Sequence, residues 1–167
     1  GYTIALDAML LLKIKGIKFH YTIIASGDDK ENIFYQIKDL GLNESVTFIN
    51  GMSHRNVISK LQQSDLFLLP SFEEGISNSV LEAMAQGVPV ISTDCGGMSE
   101  VINDKENGLL IPIRDPQAIA DCIEKFMKMD NDIKNKMILN AKQTIKINHL
   151  STDQTKSMLH FYNEKMY

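Results

Sequence analysis

Long apolar runs are missing from this chain. The longest, residues 4–12, is broken by Asp7, and a membrane-spanning helix needs roughly 20 apolar residues in a row. Clustered positive charge is missing too: Arg55 and Arg114 are the only arginines, the lysines are scattered, and the formal net charge is −4. Neutralising phosphates along a nucleic acid takes a basic patch, so this composition speaks against a nucleic-acid partner. Cysteine is scarce. Cys95 and Cys122 have neither metal-ligand nor redox spacing, which fits a reducing compartment, the cytoplasm. The histidines His20, His54, His149 and His160 have no partners at metal-binding spacing, and no metal is expected. No Gly-x-Gly-x-x-Gly turn follows any strand pattern, which disfavours a nicotinamide-dependent oxidoreductase. Neither a signal-peptide pattern nor an initiator methionine opens the sequence. Gly1 leads straight into a helical pattern, as in a piece of a longer protein.

What is present is ordinary for one globular domain. The 167 residues are 44% apolar and 23% charged, and a chain this long buries about 70% of the surface it would expose unfolded. Short β-rich runs at 19–25, 46–49, 66–69, 88–92 and 109–113 alternate with helical patterns at 3–13, 30–40, 54–62 and 78–86. That alternation predicts an α/β fold, a Rossmann-like parallel sheet with helices on both faces. The run Leu66-Phe67-Leu68-Leu69 is continuously apolar, as a strand buried on both faces should be. Gly41 and Gly87 stand where helix C-caps are expected. From Pro116 onward only helices are predicted, at 116–129, 131–147 and 152–165. Residues 116–167 are therefore read as the helical C-terminal part of a single domain spanning 1–167.

The stretch from Pro70 to Ile91 carries the functional signal. A buried strand ends at Pro70, a polar loop with Gly75 follows, and a helix starts near Asn78. In open α/β sheets ligands bind beyond the carboxyl ends of the strands. A helix start offers unpaired N–H groups and partial positive charge, which suits a phosphate. Gly75 lets the backbone approach a ligand closely, and the carboxylates of Glu74 and Glu82 could accept hydrogen bonds from sugar hydroxyls. A second reading of Glu82 stays open: Ser79-x-x-Glu82 also fits a helix capping box.

The same stretch resembles the signature of retaining glycosyltransferases of family 4, also called group 1. Seven residues separate Glu74 from Glu82, as in that family's paired glutamates, inside strand-Pro-Ser, Glu-Gly, Leu-Glu-Ala-Met-Ala and Gly-x-Pro-Val-Ile. Gly96-Gly97-x-x-Glu100, Asn107-Gly108-Leu109-Leu110 and Asp115-Pro116 extend the match, as do Gly27-Asp28 and Phe48-Ile49-Asn50-Gly51 upstream. The resemblance implies the C-terminal half of a GT-B fold, with the first strand of this half and the N-terminal acceptor domain absent from the chain.

It also implies roles. Glu82 binds the ribose of a nucleoside-diphosphate sugar, and Glu74 faces the transferred sugar as the catalytic carboxylate. Gly75, Ile76, Ser77 and Asn78 line the donor, Ser79 and Val80 approach its diphosphate, and Gly51 and Met52 pass beside the base. No cofactor or metal is implied. The acceptor, a glycan or lipid, would be held by the other domain, which could also touch the inner face of a membrane. An Arg and a Lys of the family would precede Gly1. The chain alone is thus expected to bind nucleotide in the millimolar range and to transfer nothing. A sheet lacking its central first strand could close up, leave a gap or borrow a strand, so self-association is a further expectation. The competing readings are a non-catalytic nucleotide-sugar-binding module, a GT-B epimerase and an inverting transferase.

Overall fold

The computed structural model describes residues 1–26 and 30–148. The helix expected over 152–165, the loop at Gly27-Asp28, and His149 and His160 lie outside these residues. Among these described residues six helices and five strands follow in the order α1 (Tyr2–Ile14), β1 (Tyr21–Ala25), α2 (Lys30–Asp39), β2 (Val46–Asn50), α3 (His54–Gln62), β3 (Phe67–Leu69), α4 (Asn78–Gln86), β4 (Val90–Thr93), β5 (Leu109–Ile111), α5 (Pro116–Lys128) and α6 (Asn131–Asn148). A short 3-10 turn, Met98–Glu100, precedes β5. All pairings are parallel, as the alternating pattern predicts.

The strands form two sheets rather than one, β1-β2 and β3-β4-β5. Among the described residues β1 therefore has only β2 as a neighbour, and β3 only β4. Of the expected outcomes, closing up is not seen among the described residues, where the two sheets stay unpaired. This also corrects one expectation. The strand buried throughout is β4, flanked on both sides, whereas Phe67 and Leu68 of β3 are only half-buried. A strand with one paired edge keeps part of its surface open whatever its apolarity.

Helices cover both faces of the three-stranded sheet. Successive strand residues point to opposite sides, so Ile91 and Val90 of β4 enter different cores. Ile91 joins Leu6, Met9 and Leu12 of α1, Leu109 and Ile111 of β5, and Ile119, Ile123 and Phe126 of α5. Val90 joins Val80, Ala83 and Met84 of α4, Met98, Val101 and Ile102, and Ala141 and Ile145 of α6. Lys15, just past α1, pairs with Asp121 and Glu124 of α5 at 2.8 and 2.9 Å. These hydrogen bonds raise the pKa of Lys15 and lower that of Asp121, while Lys128 first and Lys15 second lower that of Glu124.

The helix ends follow from local sequence. After α4 the Gly87 N–H bonds the Met84 carbonyl and the Val88 N–H bonds that of Ala83, with Gly87 at φ 78°, which is a Schellman cap. Gly41 closes α2 in the same way. At the start of α5 the Asp115 carboxylate accepts from the Ala118 N–H at 2.8 Å, ahead of Pro116. Asp115→Ala leaves that donor unpaired and is expected to cost about 1 kcal/mol, measurable by urea unfolding.

Candidate functional site

Because the strands of each sheet are parallel, the segments that leave their carboxyl ends share one edge of that sheet, and a hydrogen bond between α3 and α4 links the two sets. Three of them build the site: residues 70–77 between β3 and α4, residues 94–97 after β4, and Gly51-Met52-Ser53 between β2 and α3. The first is clamped by its neighbours. The Thr93 hydroxyl, buried at the end of β4, donates to the Ser71 carbonyl at 2.6 Å. The Gly97 N–H bonds the Gly75 carbonyl at 3.3 Å. Gly96, at φ 55°, packs so tightly on the Glu74 backbone that a Cβ there would overlap the Glu74 carbonyl. From the opposite direction Gly1, the N-cap of α1, sits against the Pro70 carbonyl, again without room for a Cβ.

Within this clamp the Glu74 carboxylate accepts from the Ser71 hydroxyl at 3.0 Å and stays half-buried. Burial raises the pKa of the nearby Tyr2 phenol, and the Glu74 charge adds to the effect. Gly75 differs from Gly96. It is exposed, its φ is not positive, and a Cβ would meet no protein atom within 4 Å. Packing therefore does not require a glycine at 75, whereas the approach of a ligand would. Ile76 beside it is 41% exposed.

Helix α4 opens onto this loop. Its N-cap, Ser77, is buried, and the Ser77 hydroxyl pairs with that of Ser79 at 2.9 Å instead of capping the helix. Among the described residues nothing accepts from the Asn78 and Ser79 N–H groups, and they face the loop as free donors. Val80 departs from expectation. Its side chain is fully buried in the core and its N–H already bonds the Ser77 carbonyl at 3.1 Å, so the free donors at the helix start are those of Asn78 and Ser79.

The capping-box reading of Glu82 is overturned. With Ser77 as N-cap, the position that would reach back is Val80, and Glu82 lies two residues further along. Its Oε1 instead meets His54 Nε2 at 2.8 Å, from the first residue of α3. His54 follows Gly51, which turns the chain at φ 71°, and the half-buried Met52. The helix that follows the expected base loop and the expected ribose carboxylate are thus joined by one hydrogen bond. The residues from Glu74 to Ser79 come together as the spacing predicts. No sequence spacing foretells the bond between His54 and Glu82, which lie 28 positions apart. Nor did any pattern foresee Arg114, at φ 58°, whose guanidinium lies 5.1 Å from the Phe72 ring centre.

Elsewhere, a polar depression of about 350 Å³ between the 103–107 turn and α6 shares no residue with this site. Among the described residues no three His, Cys, Asp or Glu side chains gather as a metal site, and no helix is long and apolar enough to cross a membrane.

The site thus consists of a clamped loop, free helix-start donors and two acidic side chains on a two-sided parallel α/β domain. Comparison with known proteins gives the family: the chain belongs to the glycosyl transferases group 1, whose model matches residues 1–144. It is 30% identical over 151 residues to the putative colanic acid biosynthesis glycosyltransferase WcaL of Salmonella typhimurium, covering 87% of this chain and 37% of that protein. It is 33% identical over 139 residues to the amylovoran biosynthesis glycosyltransferase AmsK of Erwinia amylovora, covering 80% and 34%. The chain thus spans about a third of the length of these curated relatives.

Solved structures share the fold. A glycosyltransferase from Rickettsia africae superposes with a TM-score of 0.90 at 22% identity, over 98% of this chain and 44% of that one. The C-terminal domain of the group 1 protein LpcC from Francisella tularensis gives 0.77 at 27%, over 90% and 80%. Anabaena HepE in complex with UDP gives 0.74 at 21%, over 92% and 44%. The Rossmann-like half of a GT-B fold, expected from the resemblance, is the architecture these neighbours have.

Proposed function

We propose that this chain is the donor-binding domain of a retaining, family 4 glycosyltransferase that moves a sugar from a nucleoside diphosphate to a glycan or lipid acceptor. The observation that carries the reading is the juxtaposition of Glu74, the open space at Gly75, the free Asn78 and Ser79 donors and Glu82 along one sheet edge. Glu82 takes the ribose hydroxyls and the α4 start takes the diphosphate. The sugar lies over Gly75, with Glu74 accepting from its hydroxyls and steadying positive charge at the anomeric carbon.

As the bond from that carbon to the diphosphate oxygen breaks, the electron pair leaves with the nucleoside diphosphate. Donors already aimed at the phosphates stabilise the charge that develops there. No metal takes part in this reading. The acceptor sits on a second domain, so the chain alone binds donor weakly and transfers nothing. The cytoplasm, where nucleotide sugars and reduced cysteines coexist, is its proposed place, with any membrane contact made through that second domain. The names of the relatives, concerned with colanic acid and amylovoran, support a polysaccharide as the product.

Titrating the labelled chain with millimolar UDP, GDP and ADP tests the reading. Backbone amide shifts are expected from Gly75 to Glu82 and around Gly51, with one nucleotide producing the largest. Shifts confined to other segments, or none with any nucleotide, would refute it.

A further inference from the structure

His54 and Glu82 come from different helices, and the hydrogen bond between them fixes a proton. An ionised carboxylate only accepts, so the hydrogen at 2.8 Å belongs to His54 Nε2, whether the ring is neutral or charged. Docking of α3 on α4 does not depend on this bond. Gln62 Nε2 donates to Gln86 Oε1 at 2.7 Å further along the same pair of helices, and Leu61 packs into the core shared with Val80 and Met84. The His54 side chain is 73% exposed, so its removal opens no cavity. The bond has one evident consequence: it occupies Oε1, and because no other hydrogen bond reaches this carboxylate among the described residues, the second oxygen of Glu82 stays available to a ligand.

We infer that His54 is a positioning residue for ribose recognition, holding Glu82 so that Oε2 is presented to the nucleotide's vicinal hydroxyls. This rests on the donor-site reading proposed above. Without the imidazole, Glu82 has several rotamers and a solvated carboxylate, and the ordering that His54 provides in advance must accompany binding instead. The base loop would also lose its link to the ribose acceptor, because His54 begins the helix that Gly51 and Met52 lead into.

The discriminating readout is the ratio of dissociation constants for a ribonucleoside diphosphate and its 2′,3′-dideoxy counterpart, using whichever of UDP, GDP and ADP binds most tightly. Loss of hydrogen bonds to a charged acceptor predicts a ratio of roughly tenfold or more for the unaltered chain. His54→Ala is expected to reduce it to about threefold or less by weakening the ribonucleotide alone, and His54→Gln, which keeps an N–H donor, to restore most of it. Urea unfolding should place His54→Ala close to the parent. A ratio unchanged in His54→Ala would overturn the inference and leave the ribose role of Glu82 standing. An unaltered chain that does not distinguish the two nucleotides would overturn both.

Discussion

In the full-length enzyme, Glu74→Ala should lower sugar transfer by about 10²- to 10³-fold, the usual loss when one group poised at developing transition-state charge is removed. Nucleoside diphosphate affinity should stay within about threefold, because the proposed donor pose puts Glu74 at the sugar and the ribose and phosphate contacts elsewhere. Its carboxylate is tied to Ser71, in a loop clamped by Thr93 and Gly97, so the side chain can be removed without releasing the backbone. Glu74→Gln separates charge from shape: it keeps the hydrogen-bonding outline and should retain donor affinity while losing most of the rate. Comparing kcat with the dissociation constant of the free nucleotide checks this, and a parallel fall in both would reassign Glu74 to general donor binding.

Gly96→Ala should damage the site from the opposite side of the clamp. The position has φ 55°, and its Cβ would overlap the Glu74 carbonyl. Strain of about 1–3 kcal/mol is expected from such a conformation and overlap together, with the 70–77 loop driven outward. Unfolding midpoints should fall and nucleotide shifts at Gly75 to Glu82 should vanish. Gly75→Ala supplies the contrast. Its Cβ would enter open space, so stability should hold or rise slightly, by roughly 0.4–1 kcal/mol, while donor-sugar binding weakens. If both variants lowered stability equally, packing rather than a ligand would explain the glycine at 75.

The helices that frame the site were legible because caps and spacing are local. α3 and α4 span the same residues in sequence and structure, and Gly41 and Gly87 end their helices as expected. The strand ends were less so, since β1 begins at Tyr21 rather than at residue 19 and β5 stops at Ile111 rather than at 113. Pairing, which apolarity does not encode, sets those limits.

The same limit misplaced the doubly buried strand. An apolar run reports what a segment tolerates, and neighbours decide what it receives; β4 has two and β3 has one. Within the site, the run from Glu74 to Ser79 was readable from its strand–loop–helix frame. Val80 was not, since a one-residue difference on a helix decides between the core and the loop. The partnership of His54 with Glu82 joins positions 28 apart in sequence, and no periodicity links them.

The most direct test of the donor-site reading is a crystal structure of this chain with the preferred nucleoside diphosphate bound. The account predicts a ribose hydroxyl within hydrogen-bonding distance of Glu82, the diphosphate on the Asn78 and Ser79 N–H groups, and His54 still bonded to Oε1. A nucleotide seated away from the α4 start, with Glu82 remote from the ribose, would contradict it.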